Sequence, residues 1–159
     1  VFDVVIDRGG EILKDFNYPL GHHKTYGMVI DPGSIEHCFN IGQAAINLAN
    51  LVRKGGYIVH DNPFMAGNHG FYGMNPTWYY DFYSQNGFEL LTCAMYSQQI
   101  NEAAMHLVRR FQAPIFEHHL IAVAERLTEQ VISYPTQTKY KRKTEPLDLA
   151  TGKTDLKGM

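Results

Sequence analysis

Residues 26–60 constrain this chain more than any other stretch. Tyr26 to Ile30 (YGMVI) is an apolar run that does not alternate with polar residues, the pattern of a strand covered on both faces. From Asn40 the period changes. Ile41, Ala44, Ala45, Leu48, Leu51 and Val52 recur at three- and four-residue spacing, which predicts one face of a helix. Asn40 fits its N-cap, and Arg53-Lys54-Gly55-Gly56 fits its end, with cations near the negative pole and then glycine. Tyr57 to His60 (YIVH) follows as another buried strand. Strand, turn, helix, glycine turn and strand make a βαβ unit, whose strands should run parallel with a right-handed crossover.

The flanks add shorter elements. Phe2 to Asp7 reads as a strand ending at Arg-Gly-Gly, and Glu11 to Lys14 as another, closed by the turn formers of DFNYPLG. Asp61 to Met74 reads as a loop rich in Gly and Asn. Asn75-Pro76 should cap and open a helix whose aromatic face is Trp78, Tyr79, Phe82 and Tyr83, ended by Asn86-Gly87. Strands are expected at Phe88–Tyr96 and His119–Leu127, with a helix over Asn101–Phe111 between them. Residues 1–128 then form an α/β domain, and the polar residues 129–159, with the run KYKRK, a C-terminal arm or disordered tail. The expected architecture is α/β: a Rossmann-like, doubly wound, mostly parallel sheet with helices on both faces.

Composition narrows the partners. The 159 residues carry a net charge of -2, which offers neither a basic field for nucleic acid nor an acidic tail. No apolar run reaches the roughly 20 residues of a membrane span. Cys38 and Cys93 sit inside apolar patterns without ligand spacing and read as buried free thiols of a cytoplasmic protein.

The ordered set YGMVIDPGSIEHCFNIGQAAINLANLVRKGGYIVHDNPF and NHGFYGMNPTWYYDFYSQNGFELL, with LIAVAERL at the end, resembles class I S-adenosylmethionine-dependent methyltransferases. An apolar strand ending in an acid, then Glu-His, a helix and a Lys-Gly-Gly turn carry the likeness. It covers roughly Phe2 to Leu127 and corresponds to the second half of that family's sheet. The family's glycine-rich first loop has no GxGxG counterpart here. Either DVVIDRGG is a degenerate version, or VFDVVID is the second strand and the glycine loop lies upstream. The second alternative, an N-terminally truncated methyltransferase-like domain, is the expectation.

The resemblance distributes roles. Asp3 or Asp7 would bind the ribose hydroxyls, Asp3 if its strand is the second, Asp7 if it is the first. Asp15 would face the adenine amine beside the Phe16 ring, although Asp and Asn in DFNYP equally form Asx-turns. Asp31 and Gly33 would lie near the sulfonium, where glycine permits close backbone approach. His37 is the candidate catalytic base, with Glu36 favourable near a helix N-terminus. His60, Asn62, His69 and Tyr72 are candidate substrate-binding groups, polar side chains among aromatics. No metal site is expected. The tandem pairs His22-His23 and His118-His119 point to opposite faces if on strands. The function implied is methyl transfer to a small-molecule or sugar-like acceptor, in a chain that can also self-associate. The alternatives are a non-catalytic interaction domain and a metal-dependent hydrolase using His37, His60, Asp61 and His69, which lack a spacing such as HExxH.

Overall fold

The computed structural model of the chain describes residues 1–4, 7, 9–65, 69–97, 106–107 and 118–141. The predicted βαβ unit is present. Strand β3 (Tyr26–Asp31) and strand β4 (Val52–Met65) pair in parallel around helix α1 (Ile41–Leu51). The Asn40 side chain caps α1, accepting from the Gln43 N–H at 3.2 Å. The helix stops at Leu51 and Val52 already pairs with Tyr26, so Arg53 and Lys54 lie beyond it rather than in its last turn. The register shift between Tyr26 and Met28 accommodates the extra residues 53–56 as a bulge in β4, and Gly55 at φ +70° permits it.

Strands β1 (Phe2–Asp3) and β2 (Ile12–Leu13) pair in parallel, but in a separate two-stranded sheet. Helix α2 (Pro76–Gln85) is capped by Asn75, whose side chain accepts from the Thr77 N–H, with Pro76 at its first position. Strand β5 (Phe88–Ser97), the short β6 (His106–Leu107) and β7 (His118–Arg126) complete the main sheet, in the order β3-β4-β7-β5-β6.

The Rossmann-like, doubly wound, mostly parallel sheet is not what forms. In the five-stranded sheet only β3 and β4 are parallel; β4–β7, β7–β5 and β5–β6 are all antiparallel. Among the described residues there are two α-helices, not a layer on each face. The physical reason is β7. It inserts between β4 and β5, so these two strands, which run in the same sense, never meet. Pairing with β7 also carries β4 through Asp61, Asn62 and Pro63 to Met65, where turn formers had suggested a loop.

Both helices cover one face. Val29, Ile58, Leu120, Ala122, Ala124 and Cys93 share that face by register and alternation, and they form one cluster with Ala44, Ala45, Leu48 and Ala49 of α1 and Tyr79, Phe82 and Tyr83 of α2. The opposite face carries exposed Met28, Ile30 and Tyr57. Arg126 locks helix to sheet: Nη1 donates to the Ala49 and Val52 carbonyls and Nε to the Thr128 carbonyl, with the guanidinium over the Phe88 ring.

The helix expected over Asn101–Phe111 lies outside the described residues, apart from His106 and Leu107. Residues 129–137 pass along α2 without regular secondary structure and lead into a 3-10 turn, Thr138–Tyr140. Ile132 enters the core, Ser133 exchanges hydrogen bonds with the Asn86 side chain, and Thr136 with Gln85. Residues 142–159 lie outside the described residues. No helix among the described residues is long and apolar enough to cross a membrane.

Candidate functional site

The carboxyl ends of the parallel pair hold the densest polar cluster. Asp31 ends β3 and stands opposite His60 on β4, both facing the helices. His60 is fully buried; its Nδ1 donates to Asp31 Oδ2 at 2.7 Å, and the Tyr83 hydroxyl donates to its Nε2. Asp31 Oδ1 accepts from the Ser34 N–H at 3.0 Å, closing the turn made by Pro32 and Gly33. Burial pushes the Asp31 carboxyl up, but the hydrogen bond and electrostatic attraction from His60, with hydrogen bonds from Asn62 and the Ser34 N–H, together hold it below the usual carboxylate range. Burial raises the Tyr79 and Tyr83 phenols well above their ordinary value, so both stay protonated and act as donors.

Asn62 ties this cluster to Glu36. Its amide donates to Asp31 Oδ2 and to Glu36 Oε2, both at 3.0 Å, while its carbonyl oxygen accepts from the Tyr79 hydroxyl at 2.6 Å. Every polar atom of Asn62 is thereby used.

Glu36 is the unusual member. It lies in the 3-10 turn Ile35–His37, with a side chain of 0% exposure. Its Oε1 is buried without a hydrogen-bond partner. A buried acceptor left unsatisfied costs about 1–3 kcal/mol, and more when charged. Two imidazoles flank that oxygen, with His69 Nε2 at 3.6 Å and His37 Nε2 at 3.8 Å. These two rings are about half exposed, with centroids 5.2 Å apart. His69 reaches Glu36 because the loop folds over it: the Phe71 N–H donates to the Glu36 carbonyl at 2.8 Å. Gly70, at φ +66°, sits so close that a Cβ there would lie 2.9 Å from the Glu36 carbonyl oxygen. Gly33 approaches Oε1 from the other side, where a Cβ would stand 3.1 Å away.

The other candidates sit as follows. Tyr72 is half-buried, and its hydroxyl donates to the Phe39 carbonyl at 2.8 Å. Asp15 is exposed and forms the Asx-turn, accepting from the N–H and the side-chain amide of Asn17. Phe16 packs edge-on to Phe2 and touches the core. Asn17 in turn accepts from the Asn40 N–H at 2.8 Å, which brings this loop to the start of α1. Cys38 registers the convergence: after burial, Asp15, Asp31 and Glu36 each push its thiol pKa up. Asp3 accepts from the Val4 N–H on the small separate sheet, and Asp7 is exposed.

The structure therefore brings together Asp31, Gly33, His37, His60, Asn62 and His69, with Asp15 nearby. It divides them into two layers. Asp31, His60 and Asn62 are buried and mutually bonded beneath the rim, while His37 and His69 stand at its surface. His60 does not join His37 and His69; among the described residues the group of three close enough to hold a metal ion is Glu36, His37 and His69. Asp61 instead accepts from the Tyr96 hydroxyl and pairs with His119 at 3.1 Å on the opposite face. Sequence reasoning did not reveal that Glu36 is buried or that the Tyr79 and Tyr83 hydroxyls join the polar layer. The glycines at 33 and 70 were the available signal, since both crowd Glu36. An open cleft lined by Pro19, Leu20, His23, Gln43, Asn47 and Asn50 lies against α1 and shares none of these rim residues.

Compared with known proteins, the chain matches no protein-family model and no curated protein.

Proposed function

We propose that the chain works in methyl transfer from S-adenosylmethionine to a small-molecule or sugar-like acceptor. The observation that carries the reading is the exposed His37 imidazole, held beside His69 over the buried Glu36 carboxylate where the parallel strands end. Sequence resemblance over YGMVIDPGSIEH and NHGFYGMNP supports it, because the same two stretches supply this rim.

S-adenosylmethionine, when bound, supplies a methyl group on a sulfonium, so the chain's own work is positioning and proton handling. Asp15 beside Phe16 offers an acceptor and a ring to a purine, and Asp3 or Asp7 a carboxylate to ribose hydroxyls. Gly33 leaves the backbone open to close approach. His37 takes the proton from the attacking oxygen or nitrogen of the acceptor. His69 and Tyr72 line the acceptor side. Asp31, His60 and Asn62 act from below: they hold the strand ends and Glu36 in place and touch no ligand. The free thiols Cys38 and Cys93 suit a cytoplasmic setting.

Calorimetry with S-adenosylhomocysteine tests the reading. A dissociation constant in the micromolar range, about -8 kcal/mol, is expected. No heat contradicts it. A second reading, a non-catalytic interaction domain, is favoured by the exposed Met28, Ile30 and Tyr57 on the open sheet face. It gains if nucleoside binding is absent while the protein remains folded.

A further inference from the structure

We propose that Glu36, His37 and His69 form a binding site for a divalent first-row transition-metal ion, with zinc as the best-fitting member. Metal binding goes beyond methyl transfer and is read without a nucleoside; an ion on His37 would occupy the imidazole that acts as the base in its absence.

The donor set comes first. Two imidazole nitrogens and one carboxylate oxygen are a combination that zinc, iron and cobalt accept readily. The geometry agrees. Glu36 Oε1 lies 3.6 Å from His69 Nε2 and 3.8 Å from His37 Nε2, and all three donor atoms fall within 4.8 Å of one another. Ligands about 2.0–2.2 Å from a tetrahedral zinc stand about 3.3–3.6 Å apart, so both glutamate–imidazole distances are within a few tenths of an ångström of that spacing, and rotation of the exposed imidazoles brings their nitrogens together from within 4.8 Å. Neither imidazole is within hydrogen-bonding distance of Oε1, so a direct bond does not explain the arrangement.

Burial supplies the independent sign. Glu36 is fully buried, yet Oε1 has no hydrogen-bond partner, while Oε2 is fixed by Asn62. A carboxylate with one oxygen anchored by an amide and the other aimed bare at two imidazoles is the form expected of an oriented metal ligand. Asn62 is itself held by the Tyr79 hydroxyl, so the orientation propagates from the core. The backbone is shaped around the same oxygen. Gly33 and Gly70, both at positive φ, leave the space that side chains would fill.

The ligands span two segments 33 residues apart, so the ion would tie the Phe71 loop to the Ile35–His37 turn. Three protein ligands leave the outer coordination position open, on the side where both imidazoles meet solvent. Water or an acceptor hydroxyl fits there.

Titration of chelator-stripped protein with zinc chloride, followed by cobalt chloride read through its visible d–d bands, tests the site. One ion per chain is expected, with band intensity typical of four- or five-coordinate cobalt. Glu36→Gln and His69→Ala should each weaken binding by at least about 100-fold. His23→Ala, remote from the cluster, should leave it unchanged. His69 is exposed, so its removal leaves the core intact and the result stays readable even if Glu36→Gln unfolds. No binding by the folded wild type overturns the proposal, and so does stoichiometric binding that His69→Ala does not weaken. Because no nucleoside enters the assay, its failure is separate from failure of the methyl-transfer reading.

Discussion

Asp31 shows how one side chain sets the terms for its neighbours. It accepts from the Ser34 N–H, His60 and Asn62 and has no exposed surface left for a ligand. Asp31→Asn should therefore destabilise the protein by about 3 kcal/mol, because His60 loses its charged partner in the core. Urea unfolding measures this. The pH dependence follows from the sign of the shift. The folded-state pKa lies below the ordinary 3.8, so the contribution is complete above that value and disappears as pH falls through the lowered one. Wild-type stability should drop on acidification below about pH 4, and Asp31→Asn should flatten that part of the curve. In the sequence, Asp31 and His60 were legible as polar residues at strand ends. Whether they faced a ligand or the core was not, because that depends on which helices cover the face. Glu36 read as a helix-entry acid by the same local logic; its burial comes from a loop more than 30 residues away.

At the scale of elements, local signals carried what is local. The three- and four-residue spacing marked α1, Asn40 and Asn75 marked both helix starts, and the unbroken apolar runs marked β3 and the Tyr57–His60 part of β4. Strand neighbours are a different matter. The alternation in HHLIAVAER identifies β7 as a strand with one buried face, but nothing in it says that β7 lies between β4 and β5. The same insertion turned Asp61-Asn62-Pro63 from an expected loop into paired strand. Arg126 at the end of β7 is the joint between this strand and α1. It is 8% exposed and its guanidinium satisfies carbonyls at the helix end. Arg126→Met should cost about 2–4 kcal/mol, since the charged hydrogen bonds are lost and buried carbonyls stay behind. Thermal and urea unfolding read it. Arg126→Lys should recover only part of the loss, having one donor point where arginine has a fork.

The whole molecule has a one-sided core. Both helices lie on the same face of the mixed sheet, against Ile58, Leu120, Ala122 and Ala124, while Met28 and Ile30 stand exposed on the other. A doubly wound sheet would bury both sets alike. Paired substitutions separate the two arrangements. Ile58→Ala should cost about 2–5 kcal/mol, whereas Ile30→Ala should stay within about 0.5 kcal/mol. Comparable losses at both positions would mean that the second face is covered.

Methyl transfer and metal binding both rest on the assembly of Glu36, His37 and His69 into one site. Long-range 1H–15N spectra of the histidine rings, recorded for wild type and Glu36→Gln, address it most directly. The account predicts that the ring resonances of His37 and His69 both move, while those of His22 and His23 hold still. A change confined to His37, the sequence neighbour, with His69 unmoved would contradict it.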